Sequence, residues 1–146
     1  MPKLNLANLE ENKPLAPYTT MKVGGAARWF VEAKTTEEIV HAVQEAQAQG
    51  IPYEILGGGS NTLIADAGFP GLIIRAKNSG YAFTDTTLAA ESGAVLMTLV
   101  MQAAKRGLTG LEWGAGVPGT LGGAVRGNAG SMGSDMTAIL ASAEII

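Results

Sequence analysis

The chain has no cysteine and a single histidine. Disulfides and thiolate chemistry are therefore excluded, and a clustered metal centre lacks its usual ligands. No apolar run approaches the roughly twenty residues of a membrane-spanning helix. The start, Met1-Pro2-Lys3-Leu4, lacks the apolar core of a secretory signal. Charge of one sign is also scarce. Ten Lys plus Arg stand against thirteen Asp plus Glu, a net charge of -3, and they are scattered. That pattern argues against a nucleic-acid groove and against a polybasic membrane patch. The expectation is a soluble cytoplasmic protein with no nucleic-acid, membrane or metal partner.

What is present is apolar residues and glycine. At 146 residues, 47% of them apolar, the chain can bury a core and is not a disordered segment. Its twenty glycines are about twice the average usage. Residues 1 to 19 are polar, carry Pro14 and Pro17, and read as an arm over the surface. Arg28 to Ala33 alternates as a strand, with Trp29 and Val31 on one face and Phe30 on the other. Thr35-x-x-Glu38 is a capping box that opens a helix with the stripe Ile39, Val40, Val43 and Ala46, and Gly50 stops it. His41 lies beside that stripe as a surface residue, with nothing to pair with it in a triad. Pro52 to Leu56 follows as a second strand, which predicts a βαβ unit with a parallel strand pair.

Further strands are expected at Leu63-Ile64 and Leu72 to Arg75, with a turn at residues 66–71. The character changes near Lys77, which divides the chain into a first lobe over 1–76 and a second over 77–146. In the second lobe Tyr81 to Ala90 predicts a hairpin. Val95 to Arg106 predicts a helix that buries Leu96, Leu99, Val100 and Ala103 and stops at Gly107. The last residues, Ala141 to Ile146, read as a strand.

Two glycine clusters remain. Ile55-Leu56-Gly57-Gly58-Gly59-Ser60-Asn61-Thr62 ends a strand with three glycines, which weaken strand and helix alike. Bare backbone amides at a strand's carboxyl end suit a phosphate or pyrophosphate, and open α/β sheets place ligands at that end. Alone, the stretch reads equally well as a tight turn. The second cluster places seven glycines between Gly114 and Gly130. Its Gly114-x-Gly116-x-x-Gly119 spacing is not a dinucleotide fingerprint, because no strand precedes it, Pro118 interrupts it, and Ile139 stands where an acid is needed. It reads either as a glycine-lined packing contact or as a flat ligand surface whose edge Thr120 and Asn128 can bond. A phosphate site and a flat surface together suggest a dinucleotide flavin.

Three motifs resemble the UDP-N-acetylenolpyruvoylglucosamine reductase family, also called UDP-N-acetylmuramate dehydrogenase. They are Tyr18-Thr19-Thr20-Met21-Lys22-Val23-Gly24-Gly25, Leu56 to Asn61, and Gly110-Leu111-Glu112-Trp113 with Gly116 to Val125 and Asn128-Ala129-Gly130. The resemblance implies an α+β fold of the vanillyl-alcohol-oxidase or PCMH type, with FAD bound by two lobes. It implies hydride transfer from NADPH through FAD to the enolpyruvyl double bond of a UDP-sugar, giving UDP-N-acetylmuramate for peptidoglycan. Carried over, Gly57, Gly58, Gly59, Ser60, Asn61 and Thr62 hold the pyrophosphate. Val117, Pro118, Gly119, Thr120, Gly122, Gly123, Asn128 and Gly130 line the second FAD wall. Ser131-Met132-Gly133 departs from the family's Ala followed by an aromatic. The family's catalytic Arg, Ser or Cys, and Glu are expected downstream of Ile146, with the rest of the second lobe and the substrate domain, so no catalytic residue is assigned within the chain. The alternatives are another oxidoreductase of the same flavin fold and a non-catalytic flavin- or nucleotide-binding module.

Overall fold

The computed structural model describes residues 4–146. It divides into two compact units, the first ending at Lys77 and the second running from Asn78 to Ile146.

The first unit is a four-stranded sheet in the order β1-β2-β4-β3, with β1 at Glu10–Pro14, β2 at Ala26–Ala33, β3 at Tyr53–Leu56 and β4 at Phe69–Ala76. β1 runs antiparallel to β2, while β2, β4 and β3 are parallel. Alternation along β2 sends Trp29 and Val31 to one face and Phe30 to the other, as its sequence predicts. Helix α1, Thr36–Ala48, covers the first face with Ile39, Ala42, Val43 and Ala46. On the second face Phe30, with no exposed surface, packs with Leu15, Leu56 and Ile73. Truncating such a residue to Ala costs about 3–5 kcal/mol.

The ends of α1 follow from its sequence. Thr35 Oγ1 accepts from Glu38 N at 3.2 Å, and the Glu38 carboxylate accepts from Lys34 N at 2.6 Å, one residue before the usual reciprocal partner. At the other end Gly50 takes φ 63°, and Gly50 N and Ile51 N donate to Gln47 O and Ala46 O. This Schellman arrangement satisfies two carbonyls that the helix leaves open.

Three expectations are corrected here. The surface arm contains an edge strand, β1, because residues 10–14 find a ladder partner in β2. The strand pair of the βαβ unit is not adjacent, since β4 lies between β2 and β3. Leu63-Ile64 is not a strand. There Ala65 O accepts from Gly25 N and Gly68 N, each at 2.9 Å, so the backbone is bonded to a loop rather than to a ladder.

The second unit holds the hairpin β5–β6 (Tyr81–Thr84 and Thr87–Ala90) and helix α2 (Leu96–Lys105). A 3-10 turn follows at Glu112–Gly116, then the short helix α3 at Leu121–Arg126. The small hairpin β7–β8 (Gly130–Ser131 and Ser134–Asp135) comes last, before a 3-10 turn at Met136–Ala138. α2 buries Leu96, Leu99, Val100 and Ala103, the stripe its period predicts. Leu96 and Val100 share a core with Trp113, Ala124 and Met136. Asn78, 2% exposed, accepts from Ser92 Oγ at 3.2 Å and Gly93 N at 3.1 Å, which fixes the turn that leads into α2. Residues 141–146, read from sequence as a strand, have no regular structure, because no ladder partner is present for them among the described residues.

Candidate functional site

In the first unit Gly57, Gly58, Gly59, Ser60, Asn61 and Thr62 form one bend at the carboxyl end of β3. The three glycines are not equivalent. Gly59 is buried, with φ 67°, and a Cβ there would collide with the Tyr18 carbonyl oxygen. Gly58 is exposed. Thr20 N donates to Gly59 O at 3.0 Å, so that carbonyl faces the 18–20 segment. In a trans peptide the following N–H points the opposite way, which turns the Ser60 amide away from Tyr18 and Thr19. The bend thus rests on protein backbone at Gly59 while Gly58 and Asn61 are exposed, which fits a backbone cradle of the kind a pyrophosphate requires.

The segment beneath it is itself anchored. Gly25 N donates to Ala65 O, and Leu15 N donates to Gly25 O at 3.2 Å. Thr19 is 2% exposed. The Tyr18 ring packs on Phe30 at 4.9 Å. The Arg75 guanidinium stands 4.7 Å from the Tyr18 ring and pairs with Glu32 at 2.6 Å. Neither Glu32 nor Arg75 is marked by any motif. The signal that could have found them is a charged residue placed one position before the end of each of two parallel strands, directly after a buried apolar run.

In the second unit the predicted residues gather around α3. Gly119 takes φ 125°, Thr120 is the N-cap, and Gly122 and Gly123 lie in the first turn. The start of this helix is closed to an anion. Leu121 N and Gly122 N donate to Ala94 O and Ser92 O, both at 2.8 Å, and Gly123 N donates to Thr120 Oγ1 at 3.4 Å. Thr120, 8% exposed, therefore caps a helix. Asn128 takes φ 43°; its side chain donates to Asp135 at 3.2 Å and accepts from Thr137 N at 3.1 Å. The Thr137 hydroxyl, bonded at 2.6 Å, leads the groups that hold the Asp135 carboxyl below its ordinary range, and Asn128 adds to it. Gly130 opens β7, and Val117 and Pro118 precede the cap. Gly123 and Pro118 are exposed, so a flat contact surface is available here, while the polar side chains are committed to the fold.

Among the described residues no helix is long and apolar enough to cross a membrane, and no group of three or more His, Asp or Glu side chains could hold a metal.

A family model described as an FAD binding domain matches residues 27–146. The UDP-N-acetylenolpyruvoylglucosamine reductase of Synechococcus sp. (strain JA-3-3Ab) is 47% identical over 135 residues, covering 91% of this chain and 43% of that one. The reductase of Rubrobacter xylanophilus is 43% identical over 137 residues, covering 92% and 46%. Among solved structures, UDP-N-acetylenolpyruvylglucosamine reductase from Thermus caldophilus superposes with a TM-score of 0.68 at 36% identity, over 88% of this chain and 44% of that one. A solvent-stable cholesterol oxidase, 16% identical with a TM-score of 0.55 over 73% of this chain and 22% of its own, shares the fold alone. The chain spans a little under half the length of the reductases it matches. With its α+β fold of the PCMH type, the chain belongs to the FAD-binding domain family.

Proposed function

We propose that this chain is the FAD-holding part of a UDP-N-acetylenolpyruvoylglucosamine reductase, acting in the cytoplasm in peptidoglycan synthesis. The observation that carries the reading is the bend at Gly57 to Asn61, seated on Tyr18 and Thr19 at the carboxyl end of a parallel strand. The 47% identity to a reductase supports the same reading. Bound FAD would supply hydride transfer, taking a hydride from NADPH and delivering it to the enolpyruvyl double bond of a UDP-sugar. The chain's own part is to hold and orient. Gly57, Gly58, Gly59, Ser60, Asn61 and Thr62 hold the pyrophosphate through backbone amides and short side chains. Val117, Pro118, Gly119, Gly122, Gly123 and Gly130 contact the remainder of the cofactor through the surface around α3, with the Gly122 and Gly123 amides committed to Ser92 and Thr120, and Thr120 and Asn128 keep that surface in shape. The substrate-polarising groups and proton donor belong to the portion of the reductases that this chain does not span.

FAD is held noncovalently, since the chain has no cysteine and its one histidine, His41, is exposed on α1. The test is titration of the purified chain with FAD, followed by flavin absorbance and fluorescence, then by heat or acid denaturation. Saturable binding with complete release of the flavin is expected. No binding, or flavin that stays on the denatured polypeptide, overturns the reading. In an NADPH-oxidation assay with UDP-N-acetylglucosamine enolpyruvate, the chain alone is expected to turn over far more slowly than a full-length reductase. Absent general acid and electrostatic groups are typically worth about 10²- to 10⁴-fold each.

A further inference from the structure

We propose that Arg75 is an affinity-setting cation of the Gly57–Asn61 anion site, and that Glu32 is the counter-ion that moderates it. The inference rests on the FAD reading above and adds a residue that no glycine motif marks.

Strand pairing carries the placement. Arg75 on β4 is the register partner of Leu56, the residue immediately before the bend. Alternation along β4 sends Leu72, Ile74 and Ala76 to the α1 face and Ile73 to the opposite face, so Arg75 shares the face of Ile73, Phe30 and Tyr18. That is the face on which the bend rests, because Gly59 lies against the Tyr18 carbonyl. The guanidinium stacks on the Tyr18 ring at 4.7 Å, which fixes its position next to the backbone that seats Gly59. Among the described residues its ion pair uses Nη1 alone, at 2.6 Å from Glu32, and a guanidinium has five donors. Lys13 approaches the same ring at 5.8 Å but is paired with Glu10 at 2.6 Å on the edge strand β1.

With both charges present the pair is neutral and the bend's amides act on a diphosphate without help or hindrance. Remove Glu32's charge and an uncompensated cation remains beside the site. Remove Arg75's charge and an uncompensated carboxylate remains. A unit charge near a doubly charged group, in largely aqueous surroundings at low salt, changes affinity by roughly threefold or more. A purely architectural ion pair behaves differently, since breaking it from either side loosens the bend and weakens binding in both cases.

The experiment is FAD titration of the wild-type chain, Arg75→Gln, Glu32→Gln and the double variant, at several KCl concentrations, with thermal melts in parallel. Glu32→Gln is expected to bind FAD about threefold or more tighter, with a steeper loss of affinity as salt rises. Arg75→Gln is expected to bind correspondingly weaker with a flatter salt dependence, and the double variant to return near wild type. If Arg75→Gln fails to fold, the Glu32→Gln affinity and salt slope decide the matter alone. Glu32→Gln binding that is unchanged or weaker, with an unchanged salt slope, overturns the proposal while leaving the FAD reading intact. A wild-type chain that binds no FAD overturns both.

Discussion

Glycine is put to different uses in the two units. In the first, apart from the helix stop Gly50, several glycines allow one backbone to touch another. A Cβ at Gly25 would meet Gly68 N at 2.6 Å, one at Gly71 would enter the Pro52 carbonyl, and one at Gly59 would enter the Tyr18 carbonyl. In the second, Gly116 has nothing within 4 Å of its added Cβ, and Gly123 meets only Thr120 Oγ1 at 3.5 Å. Gly122, where a Cβ would meet Ser92 Cβ at 2.8 Å, closes the start of α3, and Gly130, where one would meet Asp135 Cβ at 2.6 Å, closes the β7–β8 hairpin. The lesson is that a glycine-rich stretch can be a seam of the fold or an open surface, and composition alone does not say which.

The first unit also differs in its packing. Its sheet is covered on both faces. In the second, Ile145 and Ile146 are 89% and 62% exposed, and the Trp113 indole nitrogen is buried without a hydrogen-bond partner among the described residues. Buried donors of that kind are costly.

The largest expected effect breaks the seam. Gly59→Ala forces a Cβ into the Tyr18 carbonyl at a left-handed φ of 67°, and should destabilise the chain by about 2–4 kcal/mol, read as a lower urea midpoint. An unchanged midpoint would show that the bend yields freely.

Next to it, Gly58→Val separates seam from surface within three residues. Gly58 is exposed, so the urea midpoint should hold. FAD affinity should fall at least tenfold, about 1.4 kcal/mol, as a branched side chain enters the pyrophosphate cradle. If affinity stays put, the bend is a turn and nothing more.

A smaller effect is expected at Asn128, whose side chain ties α3 to the β7–β8 hairpin through Asp135 and Thr137. Asn128→Ala should lower the melting temperature by about 3 °C. The same tie has a pH signature. The Asp135 carboxyl sits below its ordinary value of 3.8, chiefly through the Thr137 hydroxyl. A depressed folded value means stability that is present above the unfolded value and lost as pH falls through the folded one. Acid melts below pH about 3.8 should therefore show a steeper loss in the wild type than in Thr137→Val. Parallel acid profiles for the two proteins would exclude this linkage.

The smallest effect closes the comparison. Gly116→Ala, in open space, should change stability by no more than about 0.5 kcal/mol. A loss comparable to that of Gly59→Ala would mean the second glycine cluster is a seam as well.

Much of the candidate site was legible before the structure. The bend after β3, the Thr35 cap, the Gly50 and Gly107 stops and the buried stripe of α2 all follow from local pattern. The short helix α3 was not legible, because Leu121-Gly122-Gly123-Ala124-Val125-Arg126 has two poor helix formers in its first turn. Its start is held by carbonyls of Ala94 and Ser92, some twenty-five residues or more earlier in the chain.

Sequence by itself determined the periods, caps and stops, since these arise from interactions within one or two turns or along a single strand. It also determined that bare backbone lies at the end of β3. Tertiary structure alone decided that β4 inserts between β2 and β3, that β1 joins the edge, and that Gly59 belongs to the fold while Gly58 faces out. It also brought Arg75 to Glu32 and Tyr18, residues 43 and 57 positions away in sequence, through strand pairing and alternation. The physical reason is range: local propensity is written in neighbouring residues, whereas strand order and close backbone approach depend on which distant segments come to bury a common face.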